Sequence, residues 1–128
     1  MEVEIRVEAE FWTQAKRLSK KYHSMKKDLQ EFKKSLIGNP YQSSSLGRGV
    51  RKVRMTIASK GKGKSGGARV ITYNLYKEED VIVIDLLTIY DKNEISNISD
   101  DFITYLLNER ENILIMQATC NRSPYSSM

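Results

Sequence analysis

The chain has 128 residues, 40% hydrophobic and 29% charged, which suits one domain whose folding hides roughly two-thirds of the unfolded surface. Its net charge is +5, but residues 12–69 carry sixteen Lys/Arg against two acids, Asp28 and Glu31, while residues 71–128 carry four basic and ten acidic side chains. One cysteine, Cys120, and one histidine, His23, exclude an internal disulfide and a Cys/His zinc site. The start MEVEIRVEAEF is no signal peptide and the apolar run VIVIDLL is too short to span a bilayer, so a cytoplasmic protein without a membrane partner is expected.

Val3, Ile5 and Val7 alternate with charged residues, which predicts a first strand with one buried face. Phe11, Ala15, Leu18 and Tyr22 then recur at helical spacing, as do Met25, Leu29, Phe32 and Leu36 after a break at His23-Ser24. Ser24 is placed to cap the second helix, and Gly38, Asn39 and Pro40 end it. The result is a helical hairpin with basic outer faces.

NPYQSSSLGRG reads as a polar loop leading into VRKVRMTIAS, a second strand with Val53, Met55 and Ile57 on one face and Lys52 and Arg54 on the other. Two cations side by side on a sheet face cost stability unless a ligand or solvent uses them. ARVITYNLY is the third strand, and DVIVIDLLTIY, apolar on both faces apart from Asp85, is a covered fourth. Ser99, Asp100 and Asp101 can cap a last helix whose apolar side is Phe102, Ile103, Leu106 and Leu107. Tyr73, Tyr90 and Tyr105 could be core residues or could stack bases, and core is the expectation for each. The expected organisation is one domain over residues 1–112 and a partly disordered extension over 113–128.

ASKGKGKS, from Ala58 to Ser65, satisfies a relaxed phosphate-loop pattern. A phosphate loop needs a helix after it to present backbone amides. Here a β-branched run follows, so the segment is expected to join two antiparallel strands. Lys60, Lys62 and Lys64 would then form a glycine-flexed basic finger that follows a phosphate backbone without reading sequence. Such a concentration of positive charge suggests a phosphate-rich partner; solvated helix faces are the bland alternative.

The order of elements, with RKVRMTIASKGKGKSGGARVITY at the centre and LLTIYDKNEISNIS after it, resembles the RelE/ParE superfamily of bacterial toxins, closest to its RelE/HigB-type branch. The likeness runs from about Val3 to Leu107. It implies an α+β fold, with an N-terminal strand and helical hairpin on a small antiparallel sheet and a C-terminal helix. It also implies a type II toxin that enters the A site of the 70S ribosome and cuts mRNA, held inactive by a cognate acidic antitoxin. Carried over, Lys52 and Arg54 match the paired basic positions of the second strand. Arg69 matches the arginine opening the third, and Lys92 a basic residue after the fourth. Asn93 and Ser99 stand where many members have a further arginine and an acid/base side chain, which leaves the general acid unassigned.

The residues allow that chemistry independently. RNA is cut by its own 2′-hydroxyl when that proton is removed, charge on phosphorus is stabilised and the leaving 5′-oxygen is protonated. One histidine at a helical turn cannot supply a two-histidine mechanism. Metal-assisted cutting needs clustered carboxylates, whereas the acids here are scattered, so neither metal nor small-molecule cofactor is expected. Lysine and arginine remain. Nearby cations favour a neutral amine, so Lys52 is the candidate base, Arg54 and Arg69 the phosphate clamp, and Lys92 an acid or positioning group. Arg51, Lys60, Lys62 and Lys64 are candidate RNA-binding residues. A ParE-like poison of DNA gyrase and a catalytically inactive RNA-binding homologue are the competing expectations.

Overall fold

The computed structural model describes residues 2–60, 66–78 and 80–120. It is an α+β arrangement in which three helices flank a five-stranded mixed sheet. Strand β1 (Glu2–Val7) precedes helices α1 (Ala9–Lys21) and α2 (Met25–Gly38), which form the expected hairpin. Strands β2 (Ser44–Gly47), β3 (Val50–Met55), β4 (Ala68–Glu78) and β5 (Val81–Asp91) follow, then helix α3 (Asp100–Cys120). The spatial order is β1-β5-β4-β3-β2.

Two features correct the expected small antiparallel sheet. β1 runs parallel to β5, with Glu2 opposite Val81 and Val7 opposite Leu86. A period of two reports which face a side chain takes but carries no strand direction, so alternation alone could not predict this pairing. The loop before β3 also contains a strand. All four residues of β2 are exposed, and β2 is held by main-chain pairing, with Ser44 opposite Lys52 and Ser45 opposite Arg51. Gly49 closes that hairpin at φ +79°, a conformation glycine adopts without steric cost.

β5 is the centre of the molecule, with every one of its residues buried. On one face of the sheet Phe11, Leu18, Met25, Phe32 and Leu36 of the hairpin cover Val53, Met55, Val70 and Ile89. On the other, Ile103 and Leu106 of α3 pack on Val50, Ile71, Leu87 and Tyr90. α3 starts as anticipated, with the Ser99 hydroxyl accepting a hydrogen bond from the Phe102 amide at 3.1 Å. It is tied to the sheet by Arg110, whose Nε donates to buried Asp85 and whose guanidinium lies 5.0 Å from the Tyr73 ring centroid. Its backbone stays helical to Cys120, past residue 112; residues 121–128 of the expected extension lie outside the described residues.

Two local expectations fail. Ser24 does not cap α2 through its side chain; its hydroxyl donates to Asp28 at 2.6 Å and accepts from the Ser59 amide at 3.0 Å, joining the helical hairpin to the segment after β3. Tyr105 is not a core residue. It is 53% exposed and stacked on Phe102, because its position on α3 turns away from the side carrying Ile103 and Leu106. Among the described residues no helix is long and apolar enough to cross a membrane.

Candidate functional site: a basic cleft on the sheet

The register of the central strands aligns Arg54 of β3 with Arg69 of β4, and Arg69 with Tyr90 of β5. Successive side chains alternate faces along a strand. Lys52 therefore joins Arg54 on the face covered elsewhere by α3, and Lys92, two residues beyond Tyr90, falls at the other side of the Arg54–Arg69–Tyr90 row. These five residues line one cleft of about 230 Å³, with Ser43, Ser44 and Ser96 completing it. All four candidate catalytic residues are thus brought together, and no carboxylate lies among the lining residues.

Arg69 is the deepest cation of the cleft, only 6% exposed. One of its nitrogens donates to the Ala68 carbonyl at 3.1 Å, which helps fix the guanidinium. Arg54 is exposed and Lys52 half-buried, so the cleft has a buried floor and a rim open to solvent. Tyr90 is 3% exposed; burial pushes its phenol above the usual value, with the Arg69 guanidinium opposing that shift. The hydroxyl is accordingly a proton donor throughout the neutral range.

Lys92 is placed by main-chain contacts. Its amide donates to the Gly67 carbonyl at 3.2 Å. Gly67 has no room for a side chain, since a Cβ there would lie 2.1 Å from the Met55 carbonyl oxygen. Next to Lys92, Asp91 turns to the opposite face and is fully buried. It accepts from Lys60 Nζ at 2.7 Å, from the Asn93 amide at 2.9 Å and from the Tyr22 hydroxyl. Burial would raise its pKa, but these hydrogen bonds, led by Lys60, hold it at about 2. Glu94 then binds Arg17 through two contacts of 3.1 Å, so the segment carrying Lys92 is fastened to α1.

Of the remaining sequence candidates, the described ones, Lys60 and Arg51, do not line the cleft. Lys60 is consumed by Asp91, its side chain only 6% exposed, and is not a free cation of a basic finger; Lys62 and Lys64 lie outside the described residues. Arg51 alternates with Lys52 and takes the other face, donating to the Ser43 carbonyl at 3.0 Å and lying over the Tyr41 ring. Tyr90 is the cleft residue that sequence reasoning assigned elsewhere. Its spacing of two from Lys92 was a usable signal, but an aromatic residue in an apolar run reads first as core, and Tyr90 is both.

Like charges opposite one another on a sheet are destabilising. A cleft that gathers four cations without a lining carboxylate is suited to a polyanion. Its dimensions suit a phosphodiester, with two guanidinium forks able to hold non-bridging oxygens. No protein-family model matches the chain.

Proposed function

We propose that this protein is a ribosome-dependent mRNA endonuclease of the RelE/ParE toxin type, restrained by an acidic antitoxin. The observation that carries this reading is the convergence of Lys52, Arg54, Arg69 and Lys92 on one carboxylate-free cleft. Arg69 and Arg54 hold the scissile phosphate and stabilise the charge that grows on it. Lys52 takes the proton of the 2′-hydroxyl, whose oxygen attacks phosphorus while the bond to the 5′-oxygen breaks. Tyr90 supplies the proton to that leaving oxygen, and Lys92 orients the strand. The products are a 2′,3′-cyclic phosphate and a free 5′-hydroxyl. The ribosomal A site would position the 2′-hydroxyl for in-line attack, a contribution of orientation that one isolated chain lacks.

An inactive RNA-binding homologue is favoured by one observation: Ser99, which stands where many toxins carry an acid/base side chain, is spent as the helix cap of α3. Primer extension on a defined mRNA in a reconstituted bacterial translation reaction separates the readings. Cuts within A-site codons that require ribosomes and vanish with Arg69→Ala support the nuclease. Intact mRNA in every lane, with the protein folded, rejects it; cleaved plasmid in the presence of gyrase would then identify a topoisomerase poison, and RNA retention without cutting an inert binder.

A further inference from the structure

The pairing of β2 with β3 stops at Lys52, and α2 runs beside the edge of β3 beyond that point. Between them lies a groove of about 260 Å³ with Phe32 and Met55 as apolar walls and Asp28, Glu31 and Ser35 on its helical side. Arg54 lines both this groove and the basic cleft, so the two meet at one side chain. A strand held by its phosphate in the cleft can place a neighbouring base in the groove.

We propose that the groove is a nucleobase pocket selective for guanine, with Glu31 as the residue that selects it. The proposal rests on the RNA-cutting function above. The two groove carboxylates are not equivalent. Asp28 is buried and accepts from the Ser24 hydroxyl and from the Ala58 amide at 3.1 Å. Glu31 is 64% exposed, with Lys34 3.7 Å away, a solvated pairing that is easily exchanged. A carboxylate only accepts hydrogen bonds. Guanine presents two adjacent donors, the ring N1–H and the 2-amino group, whereas adenine and cytosine set one amino group beside an accepting ring nitrogen and uracil flanks one N–H with carbonyls. Arg54, as the phosphate clamp, anchors the strand where cleft and groove meet, and Glu31 is left to read the paired donors that guanine alone presents.

The test is end-sequencing of mRNA cut in a reconstituted translation reaction, using a message with a randomised A-site codon and comparing wild type with Glu31→Gln. Wild type should enrich guanine beside the cut about fivefold, the scale of a charged hydrogen-bond pair partly screened by solvent. Glu31→Gln should flatten that preference by lowering cutting beside guanine towards the level seen beside the other three bases. Glu31 is on the outer surface, and a thermal melt verifies that the variant folds. Cutting by wild type without a guanine preference, or a preference that survives Glu31→Gln, overturns the pocket and leaves the nuclease standing. If wild type cuts nothing, the nuclease reading itself has failed and the pocket falls with it.

Discussion

Arg54 and Arg69 face each other directly across β3 and β4, a juxtaposition of like charges in a pairing that runs from Val50 to Met55 without a register shift. Arg54 is exposed while Arg69 is buried, so solvent reaches the pair from the Arg54 side. Replacing Arg54 by serine should raise the melting temperature by about 1–3 °C, because removing an opposed like charge returns a few tenths of a kcal/mol in a domain of this size. The same variant should bind RNA about tenfold more weakly if Arg54 clamps phosphate. A melting temperature that falls would show that Arg54 is a structural residue.

Lys60 and Asp91 couple the segment after β3 to the end of β5. Lys60→Ala leaves a fully buried carboxylate without its main partner and should cost about 3 kcal/mol in urea unfolding. The acid limb has a defined sign. The folded pKa of Asp91, about 2, lies below its ordinary 3.8, so its contribution is complete above pH 4 and is lost as pH falls through the folded value. Wild type should therefore lose stability between about pH 4 and pH 2 more steeply than Asp91→Asn.

Glu8, at the end of β1, shows the reverse behaviour. Burial, followed by the nearby Asp85 carboxylate, pushes its pKa from 4.5 up to about 7, with Arg110 and Arg6 opposing. The folded state binds this proton more tightly than the unfolded chain does, so stability falls as pH rises from about 4.5 to 7 and is level above that. Glu8→Gln should remove this slope and be more stable than wild type at pH 8. Chemical denaturation of both proteins at pH 5 and pH 8 reads the difference, and parallel curves would refute the assignment.

Gly67 allows β3, β4 and the residue after β5 to close on one another. Because any Cβ would enter the Met55 carbonyl, Gly67→Ala must displace backbone and should destabilise by roughly 2–4 kcal/mol. Since Gly67 also fixes the Lys92 amide, any folded fraction should show altered amide exchange at Lys92, measurable by hydrogen–deuterium exchange. An unchanged melt would mean that the strand ends give way to accommodate the added methyl group.

Much of this architecture was legible. The helical hairpin followed from the spacing of Phe11, Ala15 and Leu18, and from that of Met25, Phe32 and Leu36, all of them buried. Alternation along β3 placed Lys52 and Arg54 on one face, and their partner Arg69 was recognisable from its position at the start of β4. The same alternation puts Arg51 on the opposite face, so that signal was available and outweighed by its charge. Other features had no local signature. β2, Ser-Ser-Leu-Gly, is exposed throughout and held by main-chain pairing, and the parallel direction of β1 depends on where the chain returns after two helices. Lys60 looked like part of a free basic finger because the acid that captures it lies on β5, remote in sequence. Tyr90 carries a polar tip on a core residue, which an apolar run conceals.

The pairing of β1 with β5 also governs when the protein can become complete. Contacts between segments so remote in sequence form late, after the intervening loop has been closed. During synthesis the cationic portion of the chain emerges first, but Tyr90 and Lys92 arrive with the strand that fills the middle of the sheet. A nascent chain therefore exposes most of its positive charge to the ribosome making it before it possesses a cleft. Whatever chemistry that cleft performs begins only once β5 has been inserted between β1 and β4.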